Sequence, residues 1–372
     1  MEAEADRPFR VLAIAEDLRG LVTACRVHAP LHTLRRRGVV EDFLVTDSLL
    51  TGLDPAFRFD VLWVQRAPEP GLAGEIVARF AGRYLHDMDD LLITEPGYIR
   101  AGEFPDRESL LQVIANAGVF TAPSERLVHL VEQRSGLSLA ERSMVCPNAV
   151  EFPNQPPRSP QRPTGLVLTQ SHRMALTESR AAVLGAVRSF AEHHGLPVYF
   201  FGPPLPVLGE GVEELLGPVV PCGYLDFWRY HTVLATMPTL IGVAPLETAG
   251  SDATNAFVAA KSDVKMVEYG GFGHPAVYSA AAPYVESDLT AGRLVENTGS
   301  AWMAGLKSLL EDDWRRAVVE QAAIVASRSM DRVATERWSI ALDRARLPET
   351  VEAGVLPRPR SLLRGAWRRR RG

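Results

Sequence analysis

Residues 244–284 read APLETAGSDATNAFVAAKSDVKMVEYGGFGHPAVYSAAAPY. The pattern is strand, loop, helix, turn, strand. The loop and the helix after it carry Lys261, Ser262, Asp263, Lys265 and Glu268. Ser262 is placed to cap the helix, and Lys261 and Lys265 flank its opening turn. Unpaired helix N–H groups, the positive end of the helix dipole and two ammonium groups then meet at one spot, which suits a phosphate or a diphosphate. Glu268 follows along the same helix, within reach of a sugar hydroxyl. The plainer alternative is a solvated lysine-rich helix start, with Gly270-Gly271-Phe272-Gly273 as a helix stop.

Working outward, Phe152–Gly165 (FPNQPPRSPQRPTG) holds five prolines and few large apolar residues. It reads as a linker, because proline donates no backbone hydrogen bond and cannot sit in a central strand. Before it, strands are predicted at Phe9–Ala15, Asp60–Gln65, Leu91–Thr94, Gly118–Thr121 and Ser143–Cys146. After it they are predicted at Gly165–Thr169, Val198–Phe201, Leu240–Val243 and Ala276–Ser279. Helical spacing separates them, as in Arg180–His193, where Val183, Val187, Phe190 and Ala191 recur on one face. Strands alternating with helices on both sides of a linker predict an α/β protein with two Rossmann-like, doubly wound domains. The expected division is 1–151, a linker at 152–164, 165–330, a helix at 331–350 and a tail at 351–372. Residues 312–345 read as helical, with Trp338 and Leu342 as candidates for a contact back onto the first domain. In such a pair the ligand lies in the cleft, at the carboxyl ends of the strands.

The 372 residues exceed what one core holds and suit two domains. The composition, 46% hydrophobic and 23% charged, is that of a soluble globular chain, and a net charge of −5 gives no reason to expect nucleic acid. No apolar run reaches the roughly 18 residues a bilayer span needs. The acidic start MEAEADRPFR lacks the apolar core of a signal peptide. Cys25, Cys146 and Cys222 are far apart and form neither a disulfide framework nor a metal cluster, so a cytoplasmic setting is expected. The turn after the first strand, AEDLRGLVTACRV, has a single glycine, Gly20, which argues against a dinucleotide fingerprint. A Gly-Lys-Ser/Thr phosphate loop and a Gly-x-Ser-x-Gly elbow are both absent.

The ordered set Pro245-Leu246, Phe257, Lys261-Ser262-Asp263, Lys265, Glu268, Gly273-His274-Pro275 and Pro283-Tyr284 resembles the nucleotide-sugar block of retaining glycosyltransferases with the GT-B fold, in particular glycosyltransferase family 4. The resemblance implies two Rossmann-like domains facing across a cleft, with a final helix crossing back to the first. It implies transfer of a sugar from a nucleotide sugar to an acceptor hydroxyl with retention, without a metal or other cofactor. Lys261 and Lys265 would stabilise the departing diphosphate, Asp263 beside them is a further catalytic candidate, and Glu268 would hold the ribose. Ser262, Glu247 and Arg173 would complete the donor side, Arg173 because a guanidinium can hold two phosphate oxygens. Phe201-Gly202-Pro203 resembles the strand end near the donor base.

Weaker parallels lie in the first half. Arg26, with Pro30, Leu31, Leu34 and Gly38, resembles the family's first helix, and an amphipathic helix with surface arginines is the alternative. His86-Asp87-Met88-Asp89-Asp90 resembles an acidic block that would face the cleft from the acceptor side. Asp87-x-Asp89 also fits the metal pair of the GT-A fold, which has no second half like residues 165–345; a turn cap is a further reading. Pro147-Asn148-Ala149-Val150 and Ser124-Glu125 resemble structural features of the first domain.

There are departures. Many family members carry two glutamates eight positions apart, whereas the residue eight before Glu268 is Ala260. Asp263 or Glu247 takes that role, or the contact is absent. Val258 stands where an asparagine is common. Two other functions stay open: a GT-B nucleotide-sugar epimerase, and a weakly catalytic relative that binds a glycan or protein. The tail PRPRSLLRGAWRRRRG places seven arginines around Leu362, Leu363 and Trp367. It suits either a solvated tail or contact with an anionic membrane, worth about 1 kcal/mol per arginine.

Overall fold

The computed structural model describes residues 7–49, 59–99, 104–152, 161–171, 176–247, 250–289 and 292–347. Arg173 and the arginine-rich tail lie outside the described residues. Among the described residues, twelve strands form two sheets. The first comprises β1 (Phe9–Ala15), β2 (Val40–Thr46), β3 (Val61–Gln65), β4 (Leu85–Asp87), β5 (Val119–Ala122) and β6 (Ser143–Val145). Their spatial order is β2-β1-β3-β4-β5-β6, parallel throughout. The second comprises β7 (Leu166–Thr169), β8 (Val198–Phe201), β9 (Val220–Gly223), β10 (Ile241–Ala244), β11 (Ala276–Ser279) and β12 (Arg293–Val295). Its order is β12-β11-β10-β7-β8-β9, also parallel. Strand order reverses beside β1 in the first sheet and between β7 and β10 in the second, so each has a crevice at the carboxyl ends there.

Both faces of the central strands of each sheet are buried, as parallel sheets require. Along β1, Val11 and Ala13 join one apolar cluster while Leu12 and Ile14 join another. Each fully buried side chain of this size is worth about 1.5–3 kcal/mol. Helices start where sequence supplies a cap: Asp106, Ser124, Thr177 and Asp226 each accept from a backbone N–H of the first turn.

The prediction of Leu91–Thr94 as a strand is corrected. Leu91, Leu92 and Ile93 form a turn and are buried by packing against Leu110 and Phe257, without strand pairing. The strand in that region is β4, three residues ending in the charged Asp87, too short and too polar to stand out. The edge strands β2, β9 and β12 were not predicted either. They are partly exposed, so their sequences lack a continuous apolar run.

The last described helices return to the first sheet. Met330, Val333, Ala334, Trp338, Ala341 and Leu342 share a cluster with Val11 and Trp63, and the rings of Trp63 and Trp338 stack at 4.5 Å. The segment is not one helix. Ser329 is extended at φ −65°, ψ 141°, and Met330 N–H donates to the Val150 carbonyl at 2.9 Å. A second tie between the halves is the helix Asp252–Ala259, whose Ala256 and Phe257 pack with Met88, Leu91 and Leu130.

Candidate functional site

A cavity of about 280 Å³ opens between the two sheets. From the second half it is walled by Thr169, Gln170 and Ser171 after β7, and by Pro245 and Leu246 after β10. From the first half come Leu21, Val22 and Cys25 after β1, Asp89 and Asp90 after β4, and Asn148 after β6. These are the ends of the strands at or beside each sheet's crevice.

The helix Val264–Gly271 opens onto this cavity through Val264 and Lys265. The first backbone N–H groups of any helix lack an internal partner. The expected cap by Ser262 is corrected: Asp263 holds the cap position, and no side chain caps it. Asp263 is drawn away by Arg328, at 3.0 Å, and by the Ser287 hydroxyl at 2.6 Å. Ser262 lines the cavity and accepts from Asn148 Nδ2 at 2.8 Å.

Lys265 Nζ lies 2.5 Å from Glu268 Oε2, one helical turn on. The Tyr230 hydroxyl reaches the same oxygen at 3.1 Å, and His231 Nε2 lies 3.3 Å from Oε1. Burial alone would raise the Glu268 pKa, but Lys265 and His231 outweigh it and hold the carboxyl at about 2. Glu268 is therefore an anion at neutral pH, buried but facing the cavity.

Lys261 lies across from the first half, 2.9 Å from Asp90 Oδ1 and 4.5 Å above the Phe257 ring. Burial works against its charge, yet Asp90 and its neighbours keep its pKa above the ordinary value. Arg66 completes the acidic side. Its Nε lies 3.0 Å from Asp89 and its Nη2 3.8 Å from Asp90. Arg66 has φ +60°, a conformation that non-glycine residues adopt at some expense and that clusters at functional sites. The His86 ring, 2.8 Å from the Arg66 carbonyl, holds it there. Burial raises the Asp89 carboxyl to about 6 despite Arg66.

Arg26 and Asp87 are placed otherwise. Arg26 contributes to the cavity wall, but its guanidinium meets Asp87 at 2.5 Å and 3.2 Å, the Cys146 carbonyl at 2.6 Å and Asn148 at 3.0 Å. Trp338 covers its face at 4.7 Å. Asp87 is fully buried beneath it and also accepts from Thr121 at 2.8 Å, so the expectation that Asp87 faces the cleft is corrected. Its charge is neutralised within the core. The local helix explains the placement. Pro30 cannot donate to the Arg26 carbonyl, and the turn at Ala24–His28 widens to a π-turn around Arg26.

Glu247 is buried and accepts from Thr177 and, at 2.9 Å, from Ser179. It is not among the residues of the cavity wall. The cavity thus brings together Lys261, Ser262, Lys265, Glu268, Asp89 and Asp90. Sequence reasoning missed Tyr230, His231 and Arg66. The first two sit one turn into a helix whose cap, Asp226, was a readable signal; nothing local marks Arg66. Among the described residues, no group of three or more His, Cys, Asp or Glu converges as a metal site would. No described helix is long and apolar enough to cross a membrane.

No family model matches this sequence, and no curated protein matches it. Solved structures do. Sucrose-phosphate synthase from Thermosynechococcus elongatus is 14% identical over 88% of this chain and 97% of its own, with a TM-score of 0.58. HepE from Anabaena, solved with UDP and glucose, is 14% identical over 88% of this chain and 98% of its own, also at 0.58. A candidate UDP-N-acetylglucosamine 2-epimerase from Listeria monocytogenes is 13% identical over 88% and 94%, at 0.50. At such identities the likeness is one of fold. With the two parallel sheets and the returning helix, it defines the class: a GT-B fold, two Rossmann-like halves facing across a cleft.

Proposed function

We propose that this chain is a nucleotide-sugar-dependent glycosyltransferase that acts with retention and without a metal. The observation that carries the reading is the convergence of Lys261, Lys265, the opening turn of Val264–Gly271 and the Glu268 carboxylate on one cavity between the sheets. The solved relatives bound to UDP have the same fold.

In this reading the donor diphosphate lies against the helix start, held by the two ammonium groups. Glu268 holds the nucleotide ribose. The base occupies the end of the cavity formed by Phe201, Gly202, Gly223 and Tyr224. As the sugar C1–O bond breaks, negative charge grows on the diphosphate where these preorganised cations and amides stand. The acceptor hydroxyl enters from the side of Asp89 and Asp90 and forms the new C1–O bond on the same face. Its proton passes to the departing diphosphate oxygen. Arg173, outside the described residues, would add a further cation. The arginine tail, also outside them, would keep the enzyme near an anionic membrane bearing its acceptor.

The epimerase alternative calls for acids and histidines around C2 of the sugar. Among the described residues, Asp89, Asp90 and Glu268 line the cavity, but no histidine does.

The test is to incubate the protein with UDP-, GDP-, dTDP- and ADP-sugars in EDTA, with and without a panel of sugar acceptors. Release of nucleoside diphosphate from one donor, with an anomeric configuration in the product matching the donor by NMR, is expected. Inverted product, release only after a divalent cation is restored, or a C2 epimer would overturn the corresponding part.

A further inference from the structure

The two residues best placed to receive a phosphate from the loop before the helix are already engaged from across the cavity. Lys261 is paired with Asp90 at 2.9 Å and Ser262 accepts from Asn148 at 2.8 Å, both partners belonging to the first half. The Lys261–Asp90 pair is largely removed from solvent, the side chains being 26% and 15% exposed. Asp90 in turn lies within 3.8 Å of Arg66, whose other acidic neighbours are Asp89 at 3.0 Å and Glu16 at 3.9 Å. Three carboxylates thus share Arg66 and Lys261, so this wall does not depend on Lys261 alone for its countercharge.

We propose that Asp90 is an internal competitor for the donor: it pairs with Lys261 and yields it only to a ligand carrying a diphosphate. This rests on the donor-site reading above and deepens it. A carboxylate bears one charge, whereas a diphosphate bears more and is also met by Lys265 and the helix amides. The exchange therefore favours a diphosphate over a monophosphate or a free carboxylate. Lys261 need not move far, because the Phe257 ring beneath it supports the ammonium group whichever anion it faces. When Lys261 turns to the diphosphate, Asp90 loses one of its two cations and becomes available to an acceptor hydroxyl. Donor binding thereby prepares the acceptor wall, and Asp90 acts as a positioning residue.

The prediction runs against intuition: removing a residue from the cavity wall tightens nucleotide binding. Titration calorimetry with UDP, GDP, dTDP and ADP, and with the matching monophosphates, is run on the wild type, Asp90→Asn, Lys261→Met and the double variant. With the nucleotide that binds, Asp90→Asn is expected to lower the diphosphate Kd roughly three- to tenfold, since a partly buried ion pair is worth more than an exposed one. The diphosphate-to-monophosphate ratio of Kd values falls in Asp90→Asn. In the Lys261→Met background the Asp90→Asn change has no effect. An unchanged or weaker Kd in Asp90→Asn, with its thermal unfolding confirming a folded protein, overturns the inference. So does equal tightening in the Lys261→Met background, which would make Asp90 a general repulsive charge. If the wild type binds none of the four, the donor-site reading itself fails.

Discussion

Two buried ion pairs, one from each half, use the same chemistry to opposite ends. Arg26–Asp87 is sealed, with side chains 2% and 0% exposed. The guanidinium is met by both oxygens of a carboxylate, a carbonyl, an amide oxygen and the Trp338 ring. Lys265–Glu268 also has a buried anion, 8% exposed, but its cation is 23% exposed and borders the cavity. A point charge with donors to spare can take a second anion; a saturated fork cannot. Residue type therefore says little about role here, and the exposure of the cation decides it.

The sharpest break of this comparison is to remove each anion or its support. Asp87→Ala should destabilise the protein by about 3–5 kcal/mol, because it strands a buried guanidinium. Trp338→Ala should lose about as much, through the cavity left against Trp63. Urea denaturation measures both, and a loss under about 1 kcal/mol for Asp87→Ala would show that the pair is not structural.

The Glu268 pair should instead respond through its ligand. Glu268→Gln is expected to weaken binding of a ribonucleoside diphosphate and to abolish the preference for it over the 2′- and 3′-deoxy forms, by about 1–3 kcal/mol. Retained preference would place the ribose elsewhere.

The pH dependence separates the halves further. Burial holds the His86 ring neutral, with its pKa lowered from 6.5 to about 4. The unfolded chain takes up that proton first, so stability falls as pH drops from 6.5 towards 4. Glu268 is depressed from 4.5 to about 2, so its contribution is full above 4.5 and is lost between 4.5 and 2. Asp89, raised by burial from 3.8 to about 6, opposes the His86 loss below pH 6, so the effects are read as differences from the wild type in chemical denaturation across pH 2–8: His86→Gln should remove the loss between 6.5 and 4, and Glu268→Gln should reduce the loss between 4.5 and 2.

A last test concerns Cys25. It borders the cavity, yet burial pushes its thiol up to about 12. Alkylation at pH 8 should be slower than for a free thiol by roughly a thousandfold. Rapid modification of Cys25, read by mass spectrometry, would show that this wall of the cleft is wetter than described.

Much of this was legible in the sequence. Alternating apolar runs on both sides of the proline-rich segment predict two doubly wound sheets, and the buried strands β1, β3, β5, β7, β8, β10 and β11, with the less buried β6, lie close to where expected. Lys261, Lys265 and Glu268 could be placed because a single loop and helix carry them. What failed to read was non-local. Asp87 and Asp89 are two residues apart, which on a continuous strand would put them on one face; β4 ends at Asp87, and the bend after it takes Asp89 to the cavity while Asp87 stays in the core. Asp263 reads in sequence as a site residue, but Arg328, sixty-five residues on, pairs with it. Arg66, at a strand end with an unusual backbone, depends on His86 for its position, and no local pattern encodes that.

The central claim is that Lys265 and the helix behind it form a metal-independent nucleoside diphosphate site. Titration of UDP, GDP, dTDP and ADP in EDTA, against the wild type and Lys265→Ala, tests it most directly. One nucleotide should bind the wild type at full strength in EDTA, and Lys265→Ala, still folded through the His231 and Tyr230 contacts to Glu268, should lose at least roughly tenfold in affinity. Binding by the wild type that is undiminished in Lys265→Ala, or that EDTA abolishes, would contradict the account.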